Sequence, residues 1–153
     1  VLSTHIHADG RHAEMLWTEA AGSKNNPRIS AEDIAAGRHY PRMEGRDVFK
    51  HAVTRMPEVV HEALTANDLT TNDIDLLIPH QANLRISQMV QRRLGLDDDK
   101  VVNNIQRYGN TTAATIPIAL AEAVRDERLE GGDLLCLVAF GSGLTWGSAL
   151  VRW

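Results

Sequence analysis

The segment Leu134-Leu135-Cys136-Leu137-Val138-Ala139-Phe140 constrains the fold most. It has no polar residue, and it is bounded by Gly131-Gly132 on one side and Gly141-Ser142-Gly143 on the other. Such a run is too short to cross a bilayer. A strand with no polar alternation needs cover on both faces, as in the middle of a layered sheet. Ile74-Asp75-Leu76-Leu77-Ile78 is a second short buried strand, and Pro79 ends it because proline cannot donate to a ladder. Thr145–Trp153 reads as a strand returning antiparallel to Leu134–Phe140, and Val1–His7 alternates like a further strand.

Helical periodicity separates these strands. Val48, Phe49, Ala52, Val53, Met56, Val59, Val60, Ala63 and Leu64 form one apolar face between about Gly45 and Ala66, where Pro57 is expected to kink or split the helix. Ile86, Met89, Val90 and Leu94 mark a helix stopped by Gly95. Val101–Ile105 reads as a strand. A helix capped near Thr111 to Ala114 runs through Pro117 to Leu129. Residues 11 to 42 read as a loop-rich excursion with a short helix after Ser30, where Ser30 and Asp33 have capping spacing. Strands alternating with helices give a layered α/β core, and the length suits one domain.

Formal net charge is −4, so wholesale nucleic-acid binding is not implied. One cysteine excludes an internal disulfide and fits a reducing compartment. No signal-peptide pattern opens the chain. A strand at residue 1 needs neighbours, which suggests a piece of something longer.

Three places can do chemistry. His80 stands at a strand exit, a common position for working residues in layered folds. It is either a strand-end cap or a neutral imidazole whose Nε2–H donates to a developing oxyanion. Asn110, between Gly109 and Thr111, is either a turn residue or a second neutral donor. The Gly141-Ser142-Gly143 turn exposes backbone N–H groups that suit an oxyanion. No nucleophile accompanies them, since Cys136 lies inside an apolar strand. His5, His7 and His12 lack the further convergent ligands zinc would need, so no metal is expected. Arg85, Arg92 and Arg93 share one helical face, either solvated or a dock for an acidic partner or phosphate.

Taken together, Pro79-His80-Gln81-Ala82-Asn83-Leu84-Arg85-Ile86, Tyr108-Gly109-Asn110-Thr111-Thr112-Ala113-Ala114 and Phe140–Ser148 resemble 3-oxoacyl-[acyl-carrier-protein] synthase III, a thiolase-like family. The likeness is strongest over residues 66–153 and looser through His7–Gly10 and Gly45–Lys50. It implies a thiolase-like layered α/β sandwich in which residues 1–153 are the C-terminal half: a mixed five-stranded sheet with helices on both faces. His80 and Asn110 fall on two positions of the family's Cys-His-Asn triad. The nucleophilic cysteine belongs to the N-terminal half, which this chain is expected to lack, so the chain alone is expected to be inactive.

The same resemblance implies an acyltransferase that begins type II fatty-acid synthesis, joining an acyl-CoA primer, usually acetyl-CoA, to malonyl-acyl carrier protein with loss of carbon dioxide. His80 and Asn110 would hold the malonyl thioester oxygen, and the Ser142 N–H would serve the acyl-cysteine; the family often has Gly at that position. Met43, Gly45, Phe49, Ala82 and Asn83 match positions of the pantetheine channel. Lys50, Arg85, Arg92 and Arg93 match the carrier-protein face. No cofactor is implied beyond the thioester substrates, CoA and carrier-protein phosphopantetheine. The implied protein is a cytoplasmic homodimer without nucleic-acid or membrane partners. Leu144 stands where Phe is frequent, and Pro57 is unusual. Two alternatives remain open: a related enzyme of secondary metabolism taking other acyl groups, and a non-catalytic fragment that binds carrier protein or dimerises.

Overall fold

A computed structural model describes all 153 residues. The elements in chain order are β1 (Ser3–Ala8), a 3-10 segment (Gly10–Met15), β2 (Leu16–Thr18), α1 (Ala31–Ala35), β3 (Pro41–Met43), α2 (Gly45–Thr65), β4 (Leu76–Pro79), α3 (Leu84–Leu94), α4 (Ile105–Tyr108), α5 (Thr115–Arg125), β5 (Leu134–Gly141) and β6 (Thr145–Arg152). No helix is long and apolar enough to cross a membrane.

The main sheet has the order β1-β6-β5-β4. β4 and β5 run parallel with Leu77 opposite Cys136, while β6 returns antiparallel to β5 and pairs with β1. The expected strand at Val101–Ile105 is reduced to one parallel bridge, Val101 to Leu77, at the outer edge of β4. Asn103 and Asn104 then leave the sheet, and α4 begins at Ile105. Four strands thus form ladders, and the place of a fifth is held by that bridge.

Alternation along the buried strands assigns the two faces. Leu77, Leu134, Cys136, Val138 and Phe140 pack with Val60 and Met56 of α2 and with Val90 and Leu94 of α3. Leu76, Ile78 and Leu135 face the other way, onto Ala119 and Ala123 of α5. Fully burying one such side chain is worth roughly 1.5–3 kcal/mol, so a one-residue slip, which exchanges the faces, is strongly disfavoured. Farther along the α5 side the sheet is open. Ile6 is 84% exposed there, and Leu137, Ala139 and Ala149 are only partly covered.

Pro57 does not split α2, which stays continuous over 21 residues. Proline withholds the N–H that the Val53 carbonyl would accept one turn back. The Arg93 guanidinium of α3 replaces it, donating from Nη1 to Val53 O at 2.8 Å. α5 is shorter at both ends than its apolar pattern suggests, with a 3-10 turn (Thr112–Ala114) preceding it and Arg125 closing it. Pro117 is then its third residue, where no intrahelical N–H is required. The excursion over 11–42 carries a two-stranded sheet, β2 with β3, and α1 with the expected capping box. The Ser30 N–H and the Arg38 guanidinium hold the Asp33 carboxyl down at about 2.

Candidate active site

His80 begins where β4 ends. Its N–H donates to Val138 O at 2.8 Å and its carbonyl accepts from the Ala82 N–H at 3.0 Å, which fixes the strand exit. The next side chain, Gln81, is 2% exposed and fully engaged. Its Nε2 donates to Pro79 O at 2.8 Å and Val102 O at 3.0 Å, and its Oε1 accepts from the Asn104 N–H at 3.1 Å. Asn83 caps α3, accepting from the Arg85 N–H at 2.9 Å. The half-buried His80 ring places Nδ1 2.6 Å from Thr115 Oγ1. Burial holds its pKa below the ordinary histidine value, which favours the neutral ring.

Asn110 reaches the same place from the other side. Gly109 precedes it with φ +67° and ψ −160°, a conformation suited to glycine alone. Asn110 Oδ1 accepts from the Thr112 N–H at 2.9 Å, so its amide nitrogen remains to donate. The turn before it is anchored by Glu122 of α5, 4% exposed. That carboxylate accepts from Asn104 Nδ2 at 2.8 Å, from Arg107 at 2.6 Å and from the Tyr108 hydroxyl. These donors keep Glu122 below the usual carboxylate range and, through the Glu122 contact, hold Tyr108 above the usual phenol range. Gln81 and Glu122 thus tie the His80 and Asn110 loops together through Asn104.

His80, Asn110 and Ser142 line one cleft of about 1750 Å³. Met43, Gly45, Phe49, Ala82 and Asn83 line it too, as do Lys50 and Arg85. Arg92 and Arg93 do not. Arg92 donates to Gln88 O at 3.3 Å on its own helix, and Arg93 is committed to Val53 O. Seven residues place Arg85 and Arg92 on one exposed side of α3, and of the three arginines only Arg85, on the first turn, reaches the cleft. Lys50 pairs with Asp47 at 2.7 Å on the surface.

Sequence reasoning missed Gln81, Thr115 and Glu122 as site supports. A Glu one face away from the apolar stripe of α5 gave no signal of its partners. Thr115, spaced three residues from Thr112, was the one visible hint. Cys136 is 0% exposed, and burial pushes its thiol up to about 12. His5 and His7 converge on Glu62, with contacts of 3.2 and 2.6 Å.

A mixed sheet covered by α2 and α3 on one face and α5 on the other, with histidine and asparagine meeting at one edge, defines a thiolase-like half. The family model for 3-oxoacyl-[acyl-carrier-protein] synthase III, C terminal, matches residues 64–153, and the chain belongs to that family. It is 48% identical over 153 residues to a beta-ketoacyl-[acyl-carrier-protein] synthase III of Rhodospirillum centenum, covering 100% of this chain and 44% of that protein. Among solved structures, the synthase III of Thermus thermophilus shares 41% identity at a TM-score of 0.87, over 99% of this chain and 46% of that one. The priming beta-ketosynthase of the R1128 polyketide pathway shares 31% identity at a TM-score of 0.84, over 97% and 43%. The chain spans less than half the length of each.

Proposed function

We propose that this chain supplies the decarboxylating side of an initiating condensing enzyme, acting on malonyl-acyl carrier protein and an acyl-CoA primer. The carrying observation is the meeting of His80 and Asn110, thirty residues apart in sequence, in one cleft with Arg85 and Lys50 also on its wall. In the proposed reaction the malonyl carbon–carboxylate bond breaks and carbon dioxide leaves. The electron pair moves onto the thioester, whose oxygen becomes an enolate. Asn110 Nδ2 and His80 Nε2 flank that oxygen, and donors aimed at developing charge lower the barrier. The enolate carbon then attacks the carbonyl of the primer, held as a thioester by a thiol that Cys136 cannot provide; the new carbon–carbon bond forms, the carbon–sulfur bond breaks, and that thiol leaves as thiolate and takes a proton from solvent. No cofactor enters these steps.

The test uses the polypeptide that joins this chain to a nucleophile-bearing half. His80→Ala and Asn110→Ala should each slow carbon dioxide release by about 10²–10³-fold, the usual cost of one oxyanion donor. Transfer of the primer acyl group to the thiol should be spared. Equal loss of both steps would refute the assignment. The likeness to a polyketide priming synthase favours a second reading, an enzyme of secondary metabolism whose primer is an acyl group other than acetyl. A primer series, comparing acetyl-CoA with longer acyl-CoAs, separates the two.

A further inference from the structure

The Thr112–Thr115 turn contacts both working side chains. Thr112 has a φ of +53°, uncommon for a residue with a side chain. Its N–H goes to Asn110 Oδ1 at 2.9 Å. Its carbonyl lies 3.0 Å from Thr115 Oγ1, and that same oxygen lies 2.6 Å from His80 Nδ1. Thr115 is 2% exposed, and it is the first residue of α5, so its branched side chain has little freedom.

A hydroxyl has one hydrogen to give. If Thr115 gives it to His80 Nδ1, the Thr115 and Thr112 oxygens face each other at 3.0 Å as two acceptors. If His80 Nδ1–H donates to Oγ1 and Oγ1–H donates to the Thr112 carbonyl, both contacts are hydrogen bonds. The second arrangement has one more net bond, which favours it about fivefold. Thr112 O accommodates it, because its other lone pair takes the Thr115 N–H.

We propose that Thr115 is the positioning residue for His80, holding its proton on Nδ1 so that Nε2 meets a ligand as an acceptor. This reverses the expectation, drawn from the sequence, of a resting Nε2–H. The site then offers unlike groups, an N–H from Asn110 and a lone pair from His80. It fits a ligand that presents an acceptor oxygen beside a hydrogen-bearing group, such as a thioester carbonyl next to a thiol or a bound water. Donation from His80 to an oxyanion would follow uptake of a proton at Nε2, with Nδ1–H still bonded to Thr115. That catalytic meaning rests on the function proposed above; the assignment of the proton does not.

The test is nitrogen-15 NMR of the histidine-labelled 153-residue chain, read well above the His80 pKa and without substrate. Wild type should show a protonated-type resonance at Nδ1 and an unprotonated type at Nε2, with an excess of about fivefold or more. Thr115→Ser should keep that pattern. Thr115→Val replaces the hydroxyl by a methyl, which would leave an Nδ1–H buried and unpaired, so the proton should move to Nε2 in the open cleft. An Nε2–H majority in wild type, or an unchanged ratio in Thr115→Val, overturns the proposal. If Thr115→Val does not fold, the wild-type ratio decides alone. Loss of catalytic evidence for His80 in a protein whose tautomer is as assigned would count against the proposed function only.

Discussion

Replacing Arg93 with alanine separates a structural arginine from a docking one. Val53 is 5% exposed, and its carbonyl lacks the N–H that position 57 would normally supply. Arg93 Nη1 at 2.8 Å takes that place, with Thr54 Oγ1 a weaker second contact at 3.3 Å. Removing the guanidinium leaves a buried acceptor without a partner, which costs about 1–3 kcal/mol. For a domain of this length, a midpoint of about 2 kcal/mol corresponds to a fall in Tm of about 4–8 °C. An ordinary exposed arginine would give about 0.5 kcal/mol or less.

Pro57→Ala supplies the control, because an alanine at that position brings back the N–H to Val53 O. In that background Arg93→Ala should cost only the surface value. The double-mutant cycle should therefore show a coupling of about 1–2 kcal/mol between two residues that need not touch each other. The assay is urea unfolding of the four proteins, followed by the helical circular dichroism signal. Equal destabilisation by Arg93→Ala with and without Pro57 would refute the argument, because the carbonyl would then not be what Arg93 serves.

Other outcomes follow from the same geometry. In the enzyme assembled with a nucleophile-bearing half, Arg85→Glu should raise the apparent KM for malonyl-carrier protein at low salt, and the wild-type KM should rise with salt because exposed charge pairs are screened; equal KM values for variant and wild type at low salt would remove Arg85 from the dock. Cys136 should resist iodoacetamide at pH 8 in the folded chain and react fully in denaturant, since a pKa pushed to about 12 leaves about one thiolate in ten thousand. Glu62 is held below its usual value chiefly by the His7 hydrogen bond, with His5 adding to it. Its carboxylate therefore contributes stability above the unfolded pKa, and that contribution fades as pH falls through the lower folded value. Glu62→Gln should lower the unfolding midpoint at pH 7, and the gap should begin to close below the ordinary Glu value of about 4.3 and vanish only beneath the lowered folded value; a gap that persists in stronger acid would mean the pair is not electrostatic.

How much of this was legible depended on the range of the interaction. Leu134–Phe140 announced a doubly covered strand because its two faces meet different helices, so every position was apolar. Pro79 fixed where β4 ends, and His80 with it, through a rule about one missing N–H. Val101–Ile105 misled because Val101 and Val102 have the look of a strand. The following asparagines instead bond to side chains, Asn103 to Ser87 and Asn104 to Glu122. Pro57 misled for the same kind of reason: its remedy sits on α3, far along the chain. Local pattern carries no information about a donor supplied from another helix, and Arg93 read as surface charge because it and Arg92 are indeed exposed.

The convergence of the three site loops has a topological cause. β4 and β5 run parallel, so the chain must cross back between them, and α5 makes the return. A crossover helix runs against its strands, which sets its N-terminus at the strands' carboxyl ends. His80 follows the carboxyl end of β4, Ser142 follows that of β5, and Asn110 lies just before α5. All three are therefore delivered to one edge by connectivity, before any side-chain contact forms. Side chains then set the finer placement. Gln81 and Glu122 hold the two loops to Asn104, and the Thr112–Thr115 turn orients the functional groups. Changing a residue of the second set should misalign the site in a chain that still folds, whereas a break in the β4–β5 pairing would remove the site with the sheet.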